Sequence, residues 1–240
     1  MTEGRSADRV EQYRAARAAV LARIAAASAR AGRDPADVTL VAVSKTIDAD
    51  SVRDAVAAGL GVLGENRVQE AESKAPSVPG GRWHLVGPLQ GNKVRRALEV
   101  FEVVQSVDSV GLAERIDRLA AEHRPGERYP ILLQVNVDDD PAKAGFNPVA
   151  LGEAIERIAA LPSVEVRGLM TIGRLAVAPE AARPTFRRLR ELSLSLRETG
   201  ARLGPDLSMG MTDDFEVAVE EGATIVRVGR ALFGERQPRE

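Results

Sequence analysis

The sequence predicts an α/β protein: a single-domain (β/α)8 TIM barrel over residues 1–240, with one extra helix ahead of the first strand. Three observations carry this. Eight short apolar runs alternate with stretches of helical periodicity, the pattern of a parallel sheet covered by helices. The chain of 240 residues suits one barrel domain, and no Pro/Gly/Ser-rich linker divides it. The loop after the first run, Lys45-Thr46-Ile47, has no glycine, whereas a doubly wound open sheet usually carries a glycine-rich phosphate loop there.

The elements follow in order. Val10, Tyr13, Arg17, Val20, Leu21 and Ile24 recur at helical spacing, which predicts an amphipathic helix of about six turns. Gly32-Arg33-Asp34-Pro35 stops it. The first strand covers 38–44, and a helix from Asp48 to Ala58 is closed by Gly59. The second strand is the short run 61–64, and Glu65-Asn66-Arg67 opens the next helix. Residues 83–87 form the third strand, after which Pro88 permits a helix start. Residues 103–107 form the fourth, with Asp108 or Ser109 as N-cap of a helix through Ala121. The fifth runs from Pro130 to Val137, with a helix from near Pro148. The sixth runs from Val164 to Ile172, before a helix from Pro184 to Glu198. The seventh is the weak run Asp206 to Met209; Asp213 to Glu221 is helical, with an Asp213/Glu216 pair resembling a capping box. The eighth runs from Ala223 to Val228, and Arg230 to Phe233 forms a last helical turn.

Composition removes several classes of function. The net charge of −2 argues against a general grip on nucleic acid. Aromatics are 3% of residues, too few for a base-stacking platform. With no cysteine, thiolate catalysis, disulfides and cysteine zinc sites are excluded. The start Met1-Thr2-Glu3-Gly4-Arg5 leads into a charged helix, not an apolar signal core. A cytoplasmic protein is the expectation, and a monomer, since no heptad or exposed apolar strip stands out.

The first strand, Leu40-Val41-Ala42-Val43-Ser44-Lys45, runs out on a lysine. Period two puts Val41, Val43 and Lys45 on one face. If that face is the barrel interior, Lys45 stands at the C-terminal mouth, where barrels keep their chemistry; the alternative is a solvated strand-end lysine. Strands seven and eight run into Ser208-Met209-Gly210-Met211-Thr212 and Gly229-Arg230, the two loops at which barrels often hold phosphate. Ordinary βα turns are the competing reading. Arg227 shares a face with Ile225 and Gly229 inside an apolar strand, so it needs a partner: a carboxylate such as Glu65 or Asp206, or a ligand. A strand-end lysine, a phosphate cradle and an interior arginine are the parts of a pyridoxal phosphate site. An arginine at the pyridine nitrogen disfavours its protonation and weakens the electron sink. Such a site suits carrying the cofactor more than transamination.

Over residues 8–236 the chain closely resembles the pyridoxal phosphate homeostasis protein family. The matching segments include Leu40-Val41-Ala42-Val43-Ser44-Lys45, Gly64-Glu65-Asn66-Arg67-Val68-Gln69-Glu70 and Trp83-His84-Leu85-Val86-Gly87-Pro88-Leu89-Gln90-Gly91-Asn92-Lys93. They continue with Gln105-Ser106-Val107-Asp108-Ser109, Lys143-Ala144-Gly145-Phe146, Leu207-Ser208-Met209-Gly210-Met211-Thr212-Asp213 and Val226-Arg227-Val228-Gly229-Arg230. The resemblance implies a barrel similar to the alanine racemase N-terminal domain, with pyridoxal 5′-phosphate held as an imine on Lys45. It implies phosphate contacts from Ser208 and the Gly229/Arg230 backbone, and Arg227 at the pyridine nitrogen. The implied function is intracellular cofactor homeostasis, buffering pyridoxal phosphate and handing it to apo-enzymes. A weak racemase-like enzyme is the alternative, but alanine racemase takes its second base, a tyrosine, from a second domain, and the only tyrosines here are Tyr13 and Tyr129. A lysine-imine aldolase without cofactor is a third reading.

Arg230 stands where many family members carry Ser or Thr. The hydroxyl contact then gives way to the backbone N–H, with the guanidinium either a charge-assisted donor or turned to solvent. Asn66 is a candidate cofactor contact or a helix cap. His84 reads as a hydrogen-bonded core histidine before a proton shuttle. Met170 and Met209 are weaker candidate contacts, Met170 having packing as its alternative. Asp138-Asp139-Asp140 reads as a solvated turn rather than a metal site. Lys143, in the same loop, is a candidate second cofactor-handling lysine.

Overall fold

A computed structural model describes residues 2–173 and 178–234. Helix α1 (Thr2–Arg30) precedes strand β1 (Thr39–Val43) and helix α2 (Ala49–Ala57). Then come β2 (Val62–Glu65), α3 (Val68–Lys74), β3 (Arg82–Leu85), α4 (Val94–Val100), β4 (Val103–Val107) and α5 (Val110–His123). The second half continues with β5 (Tyr129–Gln134), α6 (Pro148–Ala159), β6 (Val164–Met170), α7 (Arg183–Glu198), β7 (Asp206–Ser208), α8 (Phe215–Glu220), β8 (Ile225–Val228) and α9 (Arg230–Phe233). The strands pair in sequence order, all parallel, and β8 closes on β1.

Local chemistry fixes the helix starts. Asp48 caps α2 by accepting from Ser51 N, Ser109 caps α5 from Leu112 N, and Asn147 caps α6 from Val149 N with Pro148 in the first turn. Helix α1 lies outside the barrel, with Val20, Ile24 and Ala27 buried, and is pinned by Arg9–Asp54, Arg23–Glu216 and Arg30–Glu220 ion pairs. Two expectations are corrected. Pro88 does not start a helix: a 3-10 turn at Gly91–Lys93 leads into α4. The Asp213/Glu216 capping box does not form either. Asp214 occupies the N-cap without a side-chain cap, while Asp213 pairs with Arg230 and Glu216 with Arg23. Each acid pairs with a guanidinium, a partner carrying full charge, in place of a backbone N–H.

Most of the core lies between the sheet and the surrounding helices. The barrel interior holds a smaller apolar plug of Val41, Val103, Leu132, Met170 and Ile225. Two residues further along β4 and β8, the same alternation brings Gln105 and Arg227 inward. The interior therefore turns polar toward the C-terminal ends of the strands.

Candidate active site at the barrel mouth

Strand β1 ends at Val43, but its alternation continues, and both Val43 and Lys45 line a cavity of about 250 Å³. The chain turns sharply after Lys45. Thr46 has φ 71°, a left-handed conformation that β-branched residues rarely adopt. The turn is held from two sides. Ile47 N donates to Ser44 O at 3.0 Å, and Thr46 N donates to Glu70 Oε1 at 2.5 Å. On the outer side of the sheet, the buried Lys74 ammonium donates to Ser44 O at 2.9 Å and to Glu65 Oε1 and Glu70 Oε1 at 2.8 Å each. Ser44 Oγ donates to the same Glu65 oxygen at 2.8 Å. Burial pushes the Glu65 carboxyl up, against the opposing pull of Lys74 and Ser44.

Across the cavity stand the loops after β7 and β8. They contribute Met211, Thr212, Asp213, Gly229 and Arg230, while Asn66, Val86 and Ile172 supply the sides. Gly229 N donates to Thr212 Oγ1 at 3.3 Å, which ties the two loops together. The Arg230 guanidinium pairs with Asp213 and so remains at the cavity edge. Among the described residues of the lining, Lys45, Arg227 and Arg230 outnumber the single acid, Asp213, a balance that favours an anion.

Arg227 is only 5% exposed yet faces the cavity. Neither carboxylate considered from the sequence pairs with it: Glu65 belongs to Lys74, and Asp206 to Arg167. Its Nη1 donates to Ser208 Oγ at 2.5 Å and its Nη2 to Thr171 O at 2.8 Å. Burial pushes the guanidinium down to about 10, with the Asp214 charge opposing. It stays charged at neutral pH.

The other expected residues separate by depth. Lys45, Asn66, Arg227, Gly229 and Arg230 meet at the cavity. Asn66 is not the cap of α3, a position taken by Arg67. Ser208, His84 and Met170 are buried in the barrel interior beneath it, and Met209 is buried in the main core cluster. Lys143 reaches the margin, where its Nζ donates to Ile172 O at 3.1 Å. Asp138 is engaged by Thr185 Oγ1 and Arg188. Tyr129 donates to Phe101 O, and Tyr13 packs edge-on to Phe233; neither lines the cavity. The sequence names Thr212 only within the loop after strand seven and Asp213 only as half of a capping box, neither as a cofactor contact in its own right. The available signal was position: a hydroxyl in the loop reaches the mouth, whereas one inside a short strand is drawn into the barrel.

His84 Nδ1 lies 2.8 Å from Gln105 Nε2, and its Nε2 has no partner among the described residues. Burial, helped by the Arg82 and Arg167 charges, pushes the imidazole down to about 4. The unfolded state therefore binds the extra proton first, and stability rises with pH between about 4 and 6.5. This group alone should add roughly 3 kcal/mol across that window. Imidazole NMR should show His84 neutral at pH 5.5; titration near 6.5 would contradict it.

Fold and mouth together define a barrel of the alanine racemase N-terminal type, and the model of that family, "Alanine racemase, N-terminal domain", matches residues 16–237. The chain is 46% identical to the pyridoxal phosphate homeostasis protein of Pseudomonas aeruginosa, over 91% of this chain and 94% of that one. It superposes on the structure of PipY from Synechococcus elongatus with PLP bound, with a TM-score of 0.78 and 41% identity over 90% of this chain and 100% of that one. It belongs to the pyridoxal phosphate homeostasis protein family. Likeness to alanine racemase of Clostridium difficile, at TM-score 0.65 and 17% identity over 84% of this chain and 52% of that one, concerns the fold alone. Among the described residues no helix is long and apolar enough to cross a membrane.

Proposed function

We propose that this chain binds pyridoxal 5′-phosphate through Lys45 Nζ and serves as a cytoplasmic, monomeric buffer that hands the cofactor to apo-enzymes without turnover of its own. The observation that carries the reading is the convergence of Lys45, Arg227 and Arg230 on one cavity at the C-terminal mouth of the barrel. The name of the Pseudomonas relative and the PLP-bound PipY structure point the same way.

The residues present fit the group. When bound, the cofactor supplies an aldehyde carbon for a lysine and a ring that withdraws electrons. Lys45, which lines the cavity at the exit of β1, would hold that carbon. The Thr212 hydroxyl and the Gly229/Arg230 backbone line the cavity edge where a phosphate would sit, with Arg230 adding charge. Ser208, expected among the phosphate contacts, is engaged by Gln105 and Arg227 in the structure. Arg227 would present a donor to the ring nitrogen and disfavour a proton there, which would weaken carbanion stabilisation and favour holding over turnover. Neither tyrosine lies at the cavity to serve as a second base.

The test is direct. Pyridoxal phosphate added to purified protein should give a visible band, bleached by borohydride, with the reduced adduct mapping to Lys45. Lys45→Ala should remain colourless. A wild type without a band, or an adduct on another lysine, overturns the reading.

A further inference from the structure

A buried chain of hydrogen bonds crosses the barrel beneath the cavity and joins four strands. Arg227 on β8 donates to Ser208 Oγ on β7 at 2.5 Å; Ser208 Oγ donates to Gln105 Oε1 on β4 at 2.6 Å; Gln105 Nε2 meets His84 Nδ1 on β3 at 2.8 Å. All four side chains are at least 95% buried, so water does not compete for these contacts.

Donor and acceptor capacity fixes the direction of the chain. A guanidinium only donates, so the Ser208 oxygen accepts from Arg227 and its single proton must go onward. Gln105 therefore turns its carbonyl oxygen to Ser208 and its amide N–H to the imidazole. His84 Nδ1 must then be the acceptor, and the ring proton sits on Nε2. Flipping Gln105 would aim two donors at Ser208 Oγ and leave the hydroxyl proton without an acceptor in the chain. One charge, on Arg227, thus sets the tautomer of a histidine on the opposite side of the barrel.

Stability alone does not account for the chain. Its far end, His84 Nε2, has no partner among the described residues, and a partly satisfied buried network is worse than an apolar core. What the chain does achieve is orientation. With Nη1 held by Ser208 and Nη2 by Thr171 O, whose own hydroxyl donates to Val135 O, the guanidinium has one plane and one face toward the cavity.

We propose that Ser208, Gln105 and His84 are positioning residues that hold the Arg227 guanidinium in a single orientation toward the ring of the bound cofactor. The positioning is a property of the protein itself; its consequence for pyridoxal phosphate rests on the function proposed above.

The test has two arms. The chain has two histidines, His84 and His123, so ¹⁵N-histidine spectra of the cofactor-free protein, with His123→Gln for assignment, read the His84 tautomer directly. The wild type should show His84 protonated at Nε2, and Ser208→Thr should retain that state. Ser208→Ala frees Gln105 to rotate, and the two tautomers should mix. In the second arm, pyridoxal phosphate is added. Ser208→Ala should shift the visible band and weaken binding about tenfold, the loss of one hydrogen bond to a charged group, while Ser208→Thr stays within about twofold of wild type. A wild-type His84 protonated at Nδ1 overturns the proposal without any variant. So does a Ser208→Ala protein with wild-type tautomer, band and affinity. A wild type that binds no pyridoxal phosphate defeats the proposed function, while the tautomer arm still decides the hydrogen-bond chain.

Discussion

Lys74→Met is expected to lower stability by about 3–5 kcal/mol, the usual result of removing one partner from a buried ion pair. The Lys74 side chain is 7% exposed and that of Glu65 fully buried, so no water replaces the lost ammonium. Glu65 Oε2 already lacks a partner among the described residues, and after the substitution Oε1 retains only the Ser44 hydroxyl. The deficit should depend on pH in a definite direction. The Glu65 carboxyl is already held above its ordinary value by burial, and losing Lys74 pushes it higher. A raised acid makes the folded state the better proton binder, so the variant should recover stability as pH falls below neutral. Urea midpoints at pH 7 and pH 5.5 should show the gap to wild type narrowing, and Glu65→Gln added to Lys74→Met should recover part of it. The site should suffer too. Lys74 and Glu70 hold Ser44 O and Thr46 N on either side of Lys45, so cofactor affinity should fall beyond what the unfolded fraction explains. Equal midpoints for variant and wild type would mean that the pair does not anchor this turn.

Which parts of this were legible in the sequence follows from the range of the interactions. The barrel rests on local signals, the β-branched runs and their period of two, and these placed Val41, Val43 and Lys45 on the interior face. The same alternation brought Arg227 inside. Its partners were not legible, because Thr171 and Ser208 lie 56 and 19 residues away in sequence and meet it only when the barrel closes. The Glu65–Lys74–Ser44 cluster was missed for the same reason. Lys74 reads as an ordinary surface lysine at the end of a helix until α3 folds back over the exit of β1. Ser208 shows the limit of reading a loop by residue type. A serine at the start of a glycine-containing loop suggests a phosphate contact, yet its place within the three-residue strand β7 turns it into the interior, and Thr212 is the hydroxyl at the cavity.

Gly168→Ala should be the most damaging of the glycine substitutions, costing about 3 kcal/mol or more through overpacking that backbone cannot relieve. A Cβ at Gly168 would lie 1.9 Å from Asp206 O and 2.6 Å from Asp206 C, so the contact is with the neighbouring strand itself and not with a flexible side chain. The pairing of β5 with β6 shifts register here: Ile131 faces Val166 and Leu132 faces Gly168, which leaves Arg167 as the extra residue. That irregularity turns Arg167 outward to its ion pair with Asp206 at 2.9 Å and draws β7 close against β6. Pushing β7 away would strain the pairing of Met170 with Ser208 and the Thr171 N to Ser208 O bond of 3.1 Å, the frame on which Arg227 is held. Gly152→Ala is the matched control. Gly152 sits within α6 with nothing within 4 Å of an added Cβ, and there alanine should raise stability by up to about 1 kcal/mol through helix propensity. Urea unfolding of the two variants should therefore move in opposite directions from wild type, with pyridoxal phosphate binding weakened only in Gly168→Ala. A Gly168→Ala protein as stable as wild type would show that β6 and β7 can separate at this point without loss, and that the register shift is not what closes the barrel.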